Sequence, residues 1–195
     1  MSFPRKRESS CLNMLWTPAF AGVTGFLTFY EVVRFDGVLF VKFIADQNLG
    51  RLVKWLRIMG YDTVLYRGPA DRSFLRKAEK EGRTVLTRRR DMAGRQFAGT
   101  LIVVKHDRLE DQLATLMEAL PIHPEPAHLF TLCLRCNRSL KEVDKEEVSG
   151  QVPAYVLETQ SRFRVCPQCR GIFWPGTHRE NIRRFLGMSS PDHSL

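Results

Sequence analysis

Apolar and polar residues along the middle of the chain fall into blocks that predict strands and helices in alternation. The run VLFVKFIAD, from Val38 to Asp46, is nearly continuous in apolar residues and rich in β-branched and aromatic ones, which is typical of a parallel strand buried on both faces. Apolar residues then recur at spacings of three and four from Leu49 to Met59, which predicts an amphipathic helix with Gly60 at its end. We expect the first strand to lie at the centre of a sheet.

The alternation continues as far as Pro121. DTVLY, TVLT and GTLIVVKH predict three more strands, and Asp71 opens a second predicted helix. DRLEDQLATLMEALP predicts a third helix, which the proline ends. Strands and helices that alternate at this spacing form right-handed βαβ units. The predicted fold class is therefore α/β, with a parallel sheet flanked by helices on both faces.

The composition changes after the third helix. The proline-rich PIHPEPAH predicts a linker, so we expect an α/β domain at residues 38–125 and a small second domain at residues 126–187. Short β-like pieces around two cysteine pairs, followed by a basic helix at HRENIRRFL, make up the second domain. Residues 188–195 end in SSPDHSL, which predicts a disordered tail.

Residues 1–37 fit neither domain. The uncharged stretch from Leu12 to Tyr30 follows the basic PRKRE and imitates an export signal or a membrane span, but proline, glycine and asparagine interrupt its short apolar run. We therefore expect no export, no membrane insertion and a cytoplasmic location. The segments SFPRKRESS and WTPAFAGVTG resemble a translated bacterial intergenic repeat. This resemblance predicts that residues 1–37 are a non-native extension and that the native start is Val38.

Four of the five cysteines form two Cys-x-x-Cys pairs, Cys133 with Cys136 and Cys166 with Cys169. In a chain of this size the pattern favours metal ligation in a reducing compartment over secreted disulfides. Four thiolates satisfy the tetrahedral preference of zinc and leave no open position for chemistry. We predict a structural zinc ribbon, with four unmetallated thiols or a redox pair as the alternatives. His178 is expected to be an ordinary polar residue near a turn, with a role as a competing ligand as the alternative.

The charge balance suggests a class of partner. Thirty Lys and Arg residues against twenty-one Asp and Glu residues give a net charge of +9, which favours a polyanion such as nucleic acid. Arg51, Lys54 and Arg57 share a face of the first predicted helix, with Trp55 beside them. A basic track with a stacking aromatic suits single-stranded RNA. A merely solvated basic face is the alternative interpretation.

Aspartates follow or flank the predicted strands, where ligands collect in α/β sheets. The candidates are Asp46, Asp71, Asp91 and Asp107. Converging carboxylates bind Mg²⁺ or Mn²⁺, and such ions activate water for phosphodiester hydrolysis. Singly, Asp71 and Asp107 also suit helix caps and Asp91 a solvated turn. Asp46 is the hardest to explain by such a structural role, because a carboxylate at the end of a buried strand is costly unless it is paired or metal-bound.

Several motifs follow one another along the chain: FIADQNLGRLVKWLRIMGYDT, EGRTVLTRRRDM, CLRCNRSL, the VP at Val152-Pro153, and VCPQCRGIFWPGTH. In the order and spacing of these motifs the chain resembles the mut-seven C-terminal RNase domain family, whose members are PIN-like proteins with a C-terminal zinc ribbon. The resemblance implies a PIN-like parallel sheet over residues 38–125. It also implies a Mg²⁺- or Mn²⁺-dependent ribonuclease, with Asp46 as the central ligand and Asp71 as the second acid.

The sequence departs from the resemblance at one position. The resemblance implies a third acid directly after Thr-Arg, and here that position is Arg89, with Asp91 two residues further on. An arginine there would repel a divalent ion and attract phosphate, while Arg88 and Arg90 suit a loop that faces RNA or a solvated turn. We expect metal-dependent RNA cleavage through Asp46, Asp71 and Asp91. RNA binding without catalysis is the first alternative, and a protein-interaction adaptor is the second.

Overall fold

The structure is a computed structural model that describes residues 34–35, 38–39, 41–176 and 178–188. Arg34–Phe35 (β1) pairs antiparallel with Val38–Leu39 (β2). The predicted extension at residues 1–37 and the predicted tail at 188–195 lie almost wholly outside the described residues, as does the side chain of His178. Both remain predictions.

A four-stranded parallel sheet forms the centre of the molecule. Its strands are Phe43–Ala45 (β3), Thr63–Leu65 (β4), Thr84–Thr87 (β5) and Leu101–Val103 (β6), in the order β4-β3-β5-β6. Every neighbouring pair runs parallel. The predicted α/β class and the inner position of the first strand are thus confirmed, although this strand pairs only from Phe43 onward.

Helices cover both faces of the sheet. They are Gly50–Ile58 (α1), Arg72–Lys80 (α2) and Leu109–Ala119 (α3), and 3₁₀ turns lie at Gln47–Leu49 and Arg90–Gly94. Successive strand residues point to opposite faces. Phe43 and Ala45 therefore join one core with α1 and α3, while Ile44 joins a second core with α2.

The C-terminal part forms a small antiparallel sheet. Its strands are Lys141–Val143 (β7), Phe163–Val165 (β8) and Ile172–Phe173 (β9), with a 3₁₀ turn at Glu146–Val148 and helices at Ala154–Thr159 (α4) and His178–Phe185 (α5). Val148, Val156 and Phe163 form its own small core. Helix α5 then contacts α1, since the ring centroids of Phe185 and Trp55 lie 4.2 Å apart. The predicted boundary between residues 125 and 126 remains a prediction.

The strand order fixes where a site can form. From β3 the chain first moves to β4 on one side and later to β5 on the other side. A reversal of this kind opens a crevice at the carboxyl ends of the two strands between which it occurs. Here those strands are β3 and β5. Within the described residues, no helix is long and apolar enough to cross a membrane.

Candidate functional site

Asp46 follows β3 directly and lies in the crevice between β3 and β5, with 2% of its surface exposed. Its Oδ2 accepts hydrogen bonds from the Thr87 hydroxyl at 2.7 Å and from the Arg88 backbone N–H at 2.8 Å. Its Oδ1 accepts from the Asn48 backbone N–H at 2.9 Å. Three donors compensate the burial of this carboxylate. The burial of Asp46 is therefore explained by pairing within the protein, and its role as a metal ligand remains a prediction.

Asp71 is the N-cap of α2, which was one of its two predicted roles. Its Oδ1 accepts from the backbone N–H and the hydroxyl of Ser73 at 2.8 and 2.6 Å, and from the Phe74 N–H at 3.4 Å. The hydrogen bond from the Ser73 hydroxyl, followed by that from the Ser73 backbone, lowers the pKa of Asp71. One carboxylate oxygen is thus committed to the helix end.

Arg89 and Asp91 form a two-point ion pair at the end of β5. Nε and Nη2 of Arg89 donate to Oδ1 and Oδ2 of Asp91 at 2.9 and 2.7 Å. Nη1 of Arg89 donates to the backbone carbonyl of Ala70 at 3.1 Å, beside the second predicted acid. Arg95 adds a further bond to Asp91 Oδ2 at 3.2 Å.

The charges around Arg89 follow this geometry. Hydrogen bonding to Asp91 and then the charge of Asp91 raise the pKa of Arg89, and the charges of Asp46 and Asp71 raise it further. The hydrogen bonds from Arg89 in turn lower the pKa of Asp91. The guanidinium is therefore a counter-ion that interacts with all three predicted acids.

The three aspartates do not form one close group of ligand atoms in this structure. In the part of the chain that the structure describes, the only His, Cys, Asp or Glu group with three or more ligand atoms within 4.8 Å of one another is the cysteine cluster. Donors from the protein already occupy the oxygens of Asp46, and two arginines hold Asp91. The predicted binding of Mg²⁺ or Mn²⁺ by Asp46 and Asp71, with Asp91 as a third acid, therefore remains a prediction.

The other predicted RNA-binding residues near this edge differ in whether an acid already pairs with their charge. Nη2 of Arg88 pairs with Asp107 at 2.6 Å. Arg90 is exposed, and its side chain has no hydrogen-bond or ion-pair partner among the described residues. Arg51 and Lys54 are exposed on α1. Arg90, Arg51 and Lys54 thus remain available to phosphate.

Arg57 does not belong to this basic surface. Only 7% of its surface is exposed, and its Nε and Nη2 donate to the carbonyl of Thr63 at 2.9 and 2.8 Å. Its Nη1 donates to the carbonyls of Leu134 and Arg135 at 2.7 and 3.2 Å. Burial lowers the pKa of this guanidinium. The predicted RNA-binding role of Arg57 is wrong, because its donors face backbone carbonyls in the interior.

Sequence reasoning missed the role of Arg95. Its spacing of four residues from Asp91 was the available signal, since such a spacing brings side chains together on a helical turn. Sequence reasoning also missed Asn137, whose Oδ1 accepts from the Thr63 N–H at 3.0 Å and whose amide donates to Asp62. No local pattern indicates that second contact, because it joins distant parts of the chain.

The four predicted zinc ligands come together. All four Sγ atoms lie within 4.8 Å of one another, and those of Cys133 and Cys169 are 3.7 Å apart. Sulfurs placed about 2.3 Å from a central zinc would be about 3.8 Å apart. The donor set and its spacing therefore fit a tetrahedral zinc ion.

The two cysteine loops, at residues 133–136 and 166–169, have the same backbone conformation. The N–H of the second cysteine points at the sulfur of the first, Cys136 to Cys133 at 3.4 Å and Cys169 to Cys166 at 3.5 Å. Asn137 and Arg170 then adopt left-handed backbone angles, with φ of 58° and 56°. Burial opposes ionisation of Cys166, but hydrogen bonds from the backbone of Cys169 and Gln168 lower its pKa to about 7.

A comparison with protein families shows to which family the chain belongs. The model of the Mut7-C RNAse domain matches residues 41–186, which includes the sheet, the crevice and all four cysteines. The chain belongs to the Mut7-C RNAse domain family. Membership of the Mut7-C family indicates a ribonuclease-type function with RNA as substrate or partner. No curated protein and no solved structure matches the chain.

Proposed function

We propose that the protein is an RNA-binding member of the Mut7-C family in which the guanidinium of Arg89 takes the place of a divalent ion among the aspartates. Family membership supports RNA as the partner. The observation that carries the rest is the two-point pairing of Arg89 with Asp91. A metal ion at this edge would have to displace a charge that already neutralises the acids.

Neutralisation of the aspartates by Arg89 also favours RNA binding at the carboxyl edge of the sheet. Uncompensated aspartates would repel phosphate, whereas Arg89 offsets the charge of Asp91 and acts on Asp46 and Asp71 as well. Exposed Arg90, Arg51 and Lys54 then provide positive charge for the RNA backbone. Arg88 contributes less than Arg90, because Asp107 competes for its guanidinium. The four cysteines hold a structural zinc in this proposal.

Metal-dependent RNA hydrolysis is the second candidate function. Family membership favours it, and so does Asp46, which three donors fix at the topological switch point. It requires Arg89 to release Asp91 when RNA and metal bind. No contact among the described residues favours the adaptor function.

The test is binding and cleavage of mixed RNAs by the full chain, with Mn²⁺, with Mg²⁺ and with excess chelator, beside the Asp46→Asn variant. We expect salt-dependent binding in all three conditions, and no cleavage above that of the variant. Metal-dependent cleavage that Asp46→Asn abolishes would establish the second candidate and overturn the role given to Arg89. Absence of salt-dependent binding would overturn RNA as the partner and leave the adaptor.

A further inference from the structure

A cavity of about 380 Å³ lies between the small antiparallel sheet and α5. The residues that line it are distant in sequence from Asp46, Asp71 and Asp91. We name it the ribbon cavity. Its walls are largely apolar and include Phe130, Ile172, Phe173 and Trp174. Its volume is in the range of sites for small molecules or single nucleotides. Trp174 has 39% of its surface exposed at this cavity, which makes it one of the most exposed large apolar side chains described.

Arginines give the ribbon cavity a strong positive charge. Arg162, Arg164 and Arg179 line it, and Glu142 is the single acid among the lining residues. Arg164 uses this acid, since its Nη2 donates to Glu142 at 2.8 Å, and its Nη1 donates to the Phe130 carbonyl at 3.1 Å. Two positive charges at the cavity therefore lack a paired acid within the described residues.

Arg179 is the most unusual of these residues. Its guanidinium lies 5.2 Å from the centre of the Phe130 ring, and its buried Nε has no hydrogen-bond partner in the described part of the chain. The Nε of Arg183 on the same helix is also buried without such a partner. Burial, and then the charges of Arg183 and Arg164, lower the pKa of Arg179. A buried donor without a partner and close to other positive charges costs free energy of folding unless an anion is bound.

We propose that the ribbon cavity binds one nucleotide of single-stranded RNA, with the base against Trp174 and Phe173 and a phosphate on Arg179. A base offers a flat apolar face for the aromatic wall, and the adjoining phosphate offers acceptors to the unpaired guanidinium. A duplex keeps its bases stacked inside the helix, so an unpaired base is the one that can enter. This site lies on the zinc ribbon, and the inference rests on the proposed RNA-binding function.

The test measures binding of a fluorescently labelled oligouridylate to the full chain over a range of salt concentrations. Trp174→Ala should weaken binding about tenfold at unchanged salt slope, since it removes stacking and no charge. Trp174→Phe should restore most of the affinity. Arg179→Gln should weaken binding and flatten the salt slope by about one unit. Lys141→Ala, which removes an exposed charge of the same ribbon outside the cavity, is the matched control and should change affinity less than twofold, because it removes neither stacking nor a cavity contact.

The outcomes separate this inference from the proposed function. Wild-type protein that binds no RNA contradicts both. Wild-type binding that falls with Arg90→Ala but not with Trp174→Ala or Arg179→Gln overturns the ribbon cavity alone. Equal losses in Trp174→Ala and Trp174→Phe with normal zinc content also overturn it, because stacking would then not explain the loss. Displacement of the RNA by oligoglutamate as efficiently as by unlabelled oligouridylate would show a merely electrostatic surface and overturn it too.

Discussion

Arg57 on α1 donates a 2.7 Å hydrogen bond from Nη1 to the backbone carbonyl of Leu134, inside the first cysteine loop. Because Leu134 lies between Cys133 and Cys136, the contact ties the zinc ribbon to α1. Asn137, directly after Cys136, adds a second tie through the N–H of Thr63. The ribbon is thus held against the parallel sheet by polar contacts with buried partners.

The first prediction concerns this contact. Arg57→Ala should lower the free energy of unfolding by about 3 kcal/mol, because it leaves the buried carbonyl of Thr63 and the partly buried carbonyl of Leu134 without their donors. Urea denaturation measures the loss. Arg51→Ala, on the exposed side of the same helix, is the control and should change stability by less than about 0.5 kcal/mol. Equal effects of the two substitutions would contradict the structural role of Arg57.

The second prediction concerns the metal of the ribbon. Protein purified without chelator should contain one zinc ion per chain, and Cys166→Ser should lose it, because a tetrahedral site needs all four thiolates. Removal of zinc should also lower the thermal unfolding temperature of the whole chain, since Arg57 and Asn137 tie the first cysteine loop to the sheet. Cys11→Ser is the control and should keep its zinc. Metal-free protein of unchanged stability would refute the assignment.

The parallel sheet and the zinc cluster were predictable because local patterns specify them. Alternating blocks of strand and helix residues determine the βαβ units, and two Cys-x-x-Cys pairs predict a common cluster of four sulfurs. The start of β3 at Phe43 was not predictable. An apolar run shows which residues prefer burial, whereas a strand begins only where a neighbouring strand offers hydrogen bonds, and β4 and β5 meet β3 from Phe43 onward.

The errors at the site have a common physical cause. Helix periodicity placed Arg57 with Arg51 and Lys54, but it cannot show that carbonyls from residues 134 and 135 cover that part of α1. In the same way, the order of acids along the chain suggested a catalytic role for Asp91 but could not show which side chains contact it. The geometry of the turn after β5 instead directs its carboxylate to Arg89 and Arg95. Long-range contacts and turn geometry are the information that local patterns lack.

The third prediction concerns phosphate contacts at the carboxyl edge of the sheet. Arg90→Ala should weaken the binding of unrelated RNAs alike and flatten the salt slope by about one unit, because one phosphate contact is lost. Arg88→Ala should have the smaller effect, since Asp107 already pairs with that guanidinium. The control is Lys80→Ala, which removes an exposed charge at the end of α2, near the opposite edge of the sheet. If Arg90→Ala and Lys80→Ala bind alike, Arg90 is only solvated.

The fourth prediction concerns the cap of α2. Asp71→Ala should lower the urea midpoint, and Asp71→Asn should retain most of the stability, because an asparagine oxygen can also accept from the N–H of Ser73. The folded-state pKa of Asp71 lies below the ordinary value of 3.8, so its ionised form stabilises the fold. The stability difference between the wild type and Asp71→Ala should therefore be full above pH 3.8. It should shrink as the pH falls through the lowered pKa. A difference independent of pH in this range would rule out the ionic part of the cap.

The last prediction concerns Arg89→Asp, which places an acid at the position where the resemblance to the family predicts one. The substitution removes the counter-ion that holds Asp91, and it leaves Asp46, Asp71 and Asp91 without the charge that now offsets them. Like charges that lack a counter-ion attract a divalent cation. We therefore expect Arg89→Asp to bind Mn²⁺ measurably in electron paramagnetic resonance titrations, where the wild type does not. We also expect the variant to gain Mn²⁺-dependent RNA cleavage and to bind RNA more weakly when metal is absent.

Arg90→Asp is the matched control for this prediction, because it changes the net charge equally one residue away, at a side chain with no described partner. It should weaken RNA binding without creating a Mn²⁺ site. If Arg90→Asp gains as much Mn²⁺ as Arg89→Asp, general charge rather than the position of Arg89 governs the metal. If the wild type already binds Mn²⁺ and Arg89→Asp adds nothing, then the guanidinium does not stand in for an ion, and Arg89 must leave Asp91 when the metal binds.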